Sequence, residues 1–158
     1  VNTGHKIRTR ADAITWRNAV DGPVVFTNGV FDLLHPGHVE LLEAARSFGA
    51  ALIVGLNTDA SAGRLAKGPG RPFVPAAARA RVLASVAAVD CVVPFDEDTP
   101  HNLIADLRPD VLVKGADYPV DRIAGADGVL AAGGRVERVP LVERFSTTDL
   151  VERIRATH

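Results

Sequence analysis

Two histidines, His35 and His38, close the run Thr27-Asn28-Gly29-Val30-Phe31-Asp32-Leu33-Leu34-His35-Pro36-Gly37-His38. At this i, i+3 spacing across a helix start, both imidazoles can present nitrogen donors to one point. Gly29 lets backbone approach a ligand closely. Pro36-Gly37 opens a helix whose free N–H groups and positive dipole end favour an anion. Together they could stabilise negative charge on a phosphoryl group in transfer. Two blander readings compete: a partly buried pair with satisfied hydrogen bonds, or a metal site. The metal reading is the weaker, because the spacing lacks the adjacent Glu of a zincin and nothing nearby supplies further soft ligands. Gly29, Asp32 and Gly37 favour the phosphate.

Other groups extend the pattern. The loop from Arg64 to Pro72 carries Arg64, Lys67 and Arg71 among glycines and prolines, as mobile cations closing over a polyphosphate would, or as an ordinary solvated loop would. Arg79 and Arg81 follow on the next helix, where a solvated face is the plain expectation for at least one of them. Ser146-Thr147-Thr148-Asp149 precedes the last helix and can cap it, or bind phosphate through the same hydroxyls and N–H groups. Asp32 and Asp117 can hold hydroxyls or a metal, or simply serve turns. Familiar phosphate loops are missing. Only Gly29 stands where a dinucleotide fingerprint needs three glycines, and Pro69-Gly70 replaces the Lys and Ser/Thr of a Walker A loop begun by Gly63 and Gly68.

Positioning these groups requires a parallel sheet with helices on its faces, because short β-rich runs alternate with segments at helical spacing. Strands are predicted at 23–27, 51–56, 90–95, 110–114 and 134–139. Helices are predicted at 39–46, about 75–88, 100–107 and about 147–156, with a Gly/Pro-rich loop after the second strand. Residues 10–20 form a leading helix whose Trp16 packs against the domain. Ligands in such folds bind beyond the carboxyl ends of the strands. Asn28 and Gly29, Asn57 and Asp59, Asp96 to Asp98, Lys114 to Asp117, and Arg144 to Thr148 follow the five strands in turn, so all five clusters should share one rim.

The bulk numbers agree with one soluble domain. The chain has 158 residues, 18 Lys and Arg against 19 Asp and Glu, and 47% hydrophobic residues, which leaves no nucleic-acid footprint and no membrane span. Cys91 is the only cysteine, so no intrachain disulfide or Cys-based metal cage forms. No signal-peptide pattern opens the chain, and a cytoplasmic location is expected. The first residue is Val1, and no function attaches to residues 1–9. Residues 1–21 are taken as an N-terminal extension with the leading helix, and 22–158 as the functional domain.

Taken together, Gly-x-Phe-Asp leading into His-x-Gly-His, and Ser146-Thr147-Thr148 before the last helix, resemble the two signatures of the cytidylyltransferase-like nucleotidyltransferases. Within them, Val113-Lys114-Gly115-Ala116-Asp117-Tyr118 followed by Ile123-Ala124-Gly125 is most similar to the D-glycero-D-manno-heptose 1-phosphate adenylyltransferase branch. Asn57 to Ser61 and Phe95 to Pro100 fit that branch, and the likeness runs from about residue 22 to 154. It implies a Rossmann-like three-layer α/β/α fold with a five-stranded parallel sheet. It also implies a reaction in which the sugar 1-phosphate attacks the α-phosphate of a nucleoside triphosphate and magnesium pyrophosphate leaves.

By the same resemblance, His35 and His38 would hold the reacting phosphates, Lys67 would neutralise the phosphate tail, and Arg79 would support it. Ser146 and Thr147 would take β- or γ-phosphate oxygens, with Thr148 beside them. Gly29 and Phe31 would line the nucleotide cleft with Thr27, Asn28, Lys114 and Gly115, and Asp117 would hold the ribose or position the base. Asp32, Asn57 and Asp59 would face the acceptor or the metal, with Mg2+ arriving on the nucleotide and no fixed protein cage. In many bacteria this activity is fused to a sugar kinase domain. None fits in 158 residues, so a separate kinase is expected to supply the sugar phosphate; a homodimer is expected too.

Two departures stand out. The glycerol 3-phosphate branch carries Arg-Thr-Glu-Gly-Ile before its Ser-Thr pair, where this chain has Leu141-Val142-Glu143-Arg144-Phe145. The superfamily often places Glu two residues before the helix arginine, where Ala77 stands, which questions how Arg79 is held. Rival readings are another small phosphate acceptor with GTP or CTP, and a nucleotide-binding module without turnover. A class I aminoacyl-tRNA synthetase shares His-x-Gly-His but needs an anticodon-binding region. Neither the base, nor the anomer, nor the destination of the sugar nucleotide follows from the residues.

Overall fold

The structure is a computed structural model, and it describes residues 1–66, 68–143 and 145–157. Five strands form one all-parallel sheet: β1 (Val24–Gly29), β2 (Ala51–Asn57), β3 (Cys91–Phe95), β4 (Val111–Gly115) and β5 (Arg135–Val139), in the order β3-β2-β1-β4-β5. The expected class is observed. Strands covered on both faces should read as continuous apolar runs, and Ala51-Leu52-Ile53-Val54-Gly55-Leu56-Asn57 is buried at every position. Alternate residues then enter opposite cores. Phe26, Ile53, Val93 and Leu112 face one cluster, closed by Ala13, Leu103, Leu107 and Val129. Val25, Leu52, Val54 and Val111 face the other, closed by Leu42, Ala45 and Leu83.

Those covering residues come from helices flanking the sheet. Helices α1 (Arg10–Asn18), α5 (His101–Leu107) and α6 (Ala126–Ala131) serve the first core, and α2 (Pro36–Arg46) and α4 (Ala76–Ala84) the second. The leading helix is present, and Trp16 packs on the first core with the Arg8 guanidinium 4.5 Å above its ring. No described helix is long and apolar enough to cross a membrane.

Two helix boundaries differ from expectation by three residues or more. Helix α2 starts at Pro36 rather than 39, because His35 caps it and Pro suits the first turn. Helix α4 stops at Ala84, four residues early. Two short helices were not anticipated. Helix α3 (Asp59–Arg64) begins where Thr58 Oγ1 accepts the Ser61 N–H, and α6 follows Gly125 at φ 81°. Each is six residues long, too short to show a helical period. Helix α7 (Thr147–Ala156) matches the expected span.

The sheet order sets the position of the site. From β1 the chain winds outward through β2 and β3, then returns to the other side of β1 as β4 and β5, so the switch point lies between β1 and β4. There the ladder is short: β1 pairs with β2 from Val24 to Gly29, but with β4 only at Val25 and Phe26. Beyond Phe26, side chains bridge the two strands instead. Thr27 Oγ1 donates to the Val113 carbonyl at 2.9 Å and Lys114 Nζ to the Asn28 carbonyl at 3.2 Å.

Candidate active site

A cleft of about 920 Å³ opens at that end of the sheet. Its walls come from the carboxyl end of every strand: Asn28 to Asp32 after β1, Asn57 from β2, Asp98 to Pro100 after β3, Lys114 and Asp117 from the β4 end, and Val139 to Glu143 after β5. His35, His38 and the start of α7 complete it. The single rim expected from the polar clusters is therefore observed.

The two histidines form the start of α2. His35, with extended backbone, is the N-cap; its Nδ1 accepts the Gly37 N–H at 3.1 Å, while His38 Nδ1 accepts the His35 N–H at 3.2 Å. This is a capping box built from two imidazoles, and it satisfies amide donors that a helix start leaves open. An Nδ1 that accepts must carry a lone pair, so the proton of each neutral ring sits on Nε2. The rings stack with centroids 3.8 Å apart, Phe31 tilts against His38 at 5.3 Å, and Phe145 lies parallel to His35 at 6.4 Å. Burial pushes the His38 pKa down to about 4, helped by neighbouring His35 and opposed by Asp32; burial lowers that of His35 too. Both are neutral donors at pH 7. The preceding loop is strained: Phe31 and Leu33 hold φ of 51° and 53°, a left-handed backbone costing about 1–3 kcal/mol each in residues other than glycine.

Several expected ligands turn away from the cleft. Arg79 is 2% exposed. Its Nε donates to the Val74 carbonyl at 2.8 Å, Nη1 to the Val30 and Asn57 carbonyls at 2.8 and 2.9 Å, and Nη2 to Asp59 Oδ1 at 2.7 Å. Instead of reaching phosphate, it bolts the ends of β1 and β2 to the segment before α4. Nor does Ala77 leave it loose, since three carbonyls and Asp59 hold it. Asp59 points to Arg79 and is not a lining residue. Asp32 does line the cleft, but both of its carboxylate oxygens are engaged by backbone. Its carboxylate accepts the Phe73 and Val74 N–H groups at 2.8 and 3.0 Å, and its carbonyl accepts Thr147 Oγ1 at 2.6 Å. Thr27 is fully buried and spent on Val113. Gly115 lies behind the lining, where an added Cβ would meet Asp117 Oδ1 at 2.6 Å. Asn57 reaches the cleft, though its Nδ2 donates to Ser61 Oγ at 3.0 Å.

Others face the cleft as expected. Asn28, Gly29, Phe31, Lys114, Asp117, Ser146, Thr147 and Thr148 all line it. Ser146 Oγ also caps α7 by accepting the Asp149 N–H at 3.0 Å, so capping and rim position coexist. Lys114 Nζ sits 4.9 Å over the Tyr118 ring. Lys67 and Arg144 lie outside the described residues. Arg64 is committed to Asp98 at 2.6 Å and to the Asp96 carbonyl. Arg71, noted only as one cation of the basic loop, lines the cleft and donates to Thr148 Oγ1 at 3.3 Å. Among the described residues, no three His, Cys, Asp or Glu side chains converge as a metal cage.

Comparison with known proteins places this geometry in a family. The cytidylyltransferase-like family model matches residues 26–155. The bifunctional protein HldE of Magnetococcus marinus is 60% identical over 133 residues, covering 84% of this chain and 27% of that protein. The bifunctional protein HldE of Koribacter versatilis is 53% identical over 152 residues, covering 94% and 31%. The chain thus spans less than a third of the curated relatives it matches. Among solved structures, a lipopolysaccharide core biosynthesis protein from Thermoplasma volcanium superposes with a TM-score of 0.63 at 23% identity, over 79% of this chain and all of that one. Pantothenate synthetase from Thermus thermophilus gives 0.61 at 20% identity, over 87% and 62%. These two share the fold. The family match runs from β1 to the last turn of α7, taking in every strand end that walls the cleft, and the chain belongs to the cytidylyltransferase-like nucleotidyltransferases.

Proposed function

We propose that this chain transfers the adenylyl group of ATP to D-glycero-D-manno-heptose 1-phosphate, giving ADP-heptose and pyrophosphate. One observation carries the chemistry: His35 and His38 are neutral, stacked, and fixed by backbone N–H groups so that both protons sit on Nε2. An anionic oxygen of the sugar phosphate forms a bond to the α-phosphorus, and the bond from that phosphorus to the bridging oxygen of the β-phosphate breaks. The electron pair leaves with pyrophosphate. Because the nucleophile is already ionised, no base is required. What the site must supply is hydrogen-bond donation where charge builds, and two preorganised Nε2–H donors do this without reorganising.

The remaining walls divide the substrates between them. Ser146, Thr147 and Thr148 at the α7 start take the phosphate tail, with Lys67 contributing from the basic loop. Asn28, Gly29, Phe31, Lys114 and Asp117 frame the nucleoside, and Asn57 stands toward the acceptor. Magnesium would supply charge neutralisation on the triphosphate. It would arrive bound to the nucleotide.

The acceptor and base rest on the relatives at 53–60% identity and on the likeness of Val113 to Tyr118 to the heptose branch. A sugar kinase must act before this reaction. Since the relatives are bifunctional and this chain spans under a third of them, their second activity is where we place it. Cytoplasmic residence and a homodimer complete the proposal. The test is ³¹P NMR of the protein with Mg2+, ATP and heptose 1-phosphate. A new pair of coupled diphosphate resonances, with loss of the sugar monophosphate signal, is expected. Bound ATP with an unchanged sugar phosphate would reject heptose as the acceptor.

A further inference from the structure

We propose that Arg71 is a ligand of the departing β- and γ-phosphates, so that the strap of residues 68–75 is part of the nucleotide site. This rests on the reading of the cleft as a triphosphate site. Two helix starts meet there. The Phe145 ring lies parallel to His35, and an added Cβ on Gly37 would come within 3.4 Å of the Phe145 carbonyl. The lead-in to α7 is thereby packed against the first turn of α2. A polyphosphate whose α-phosphate meets the two imidazoles would run its tail toward α7. The first N–H groups of that helix have no intrahelical acceptor. Arg71 is at that end, with Nη2 3.3 Å from Thr148 Oγ1.

The strap delivers this guanidinium from a firm base. The Phe73 and Val74 N–H groups are both bound by the buried Asp32 carboxylate, and the Val74 carbonyl accepts from Arg79 Nε. Val74 is held at both its backbone polar groups, three residues beyond Arg71. Arg64, the other described cation of the basic loop, is paired with Asp98. Among the described residues no carboxylate lies within 4.0 Å of Arg71, whereas Arg10, Arg17, Arg46, Arg64, Arg79 and Arg135 each have at least one. A long bond to a neutral hydroxyl is readily exchanged for two charge-assisted bonds to phosphate oxygens, which suit the guanidinium fork.

The test compares ligands that differ only in the tail. Calorimetry is run with ATP, inorganic pyrophosphate and AMP on the wild-type protein, Arg71→Gln and Arg71→Lys. Losing the charged bonds is expected to weaken ATP and pyrophosphate by about tenfold to a hundredfold in Arg71→Gln, leave AMP within about twofold, and be partly restored in Arg71→Lys. A structural role would move ATP and AMP together, and that result, or an unchanged ATP affinity, overturns the proposal. So does a wild-type protein that binds neither ATP nor pyrophosphate. If the Arg71 signature appears while heptose 1-phosphate is not consumed, only the acceptor assignment falls.

Discussion

The imidazoles of His35 and His38 stack 3.8 Å apart, and each gives its Nδ1 lone pair to a backbone N–H of the same helix start. Replacing either by asparagine should lower kcat by about 10²–10³, the usual cost of one transition-state donor. The nucleotide dissociation constant should change far less. Because each ring helps to orient the other, the double variant should lose less than the product of the two single losses. Steady-state pyrophosphate release beside calorimetry of ATP binding checks both statements.

The same pair makes stability depend on pH. His38 is held neutral in the fold down to about pH 4, against an ordinary value of 6.5. Unfolded chains therefore take up a proton that the folded chain refuses. The stability is fully present above about pH 6.5 and is lost as the pH falls toward 4. His35 acts in the same direction. Urea midpoints at pH 7, 6 and 5 should fall in order, and His38→Gln should flatten the slope.

Arg79 should behave as a bolt. Arg79→Met leaves the Val30, Asn57 and Val74 carbonyls without their buried donor and should destabilise the fold by about 3–5 kcal/mol. Asp59→Asn should cost under about 1 kcal/mol, because that carboxylate is 53% exposed. Denaturant titration of the two variants gives the comparison.

Asp32 should couple the strap to the cleft. In Asp32→Asn one amide oxygen replaces two carboxylate oxygens, so one of the Phe73 and Val74 N–H groups loses its acceptor. Hydrogen exchange at those two amides should accelerate, and KM for ATP should rise by a larger factor than kcat falls. Equal exchange rates in variant and wild type would contradict this coupling.

What could be read from the residues follows physical range. The five strands were legible because buried parallel strands are written as unbroken apolar runs. The histidine pair and Ser146 to Thr148 were legible because helix caps are local patterns. Arg79 was not. Its partners at Val30, Asn57 and Asp59 lie up to 49 residues away, and only the fold reveals that a cation meets two strand ends there. The backbone contacts of Asp32 and the arginine contact of Asp59 were hidden for the same reason, since a carboxylate that will bind amides or an arginine looks the same in sequence as one awaiting a ligand. Thr27 offered a usable signal: it continues the apolar run of a central strand, where a hydroxyl is expected to bond inward. Arg71 offered a weaker one, as a cation between Gly70 and Pro72 in a loop bound for the rim.

The central claim is transfer to a heptose phosphate at this cleft. The most direct measurement is pyrophosphate release by the purified protein with magnesium, each of ATP, GTP, CTP and UTP, and either anomer of D-glycero-D-manno-heptose 1-phosphate. Release with ATP and one anomer, slowed by about 10²–10³ in His38→Asn, is the expected result. Silence in every pairing, with ATP binding intact, would contradict it.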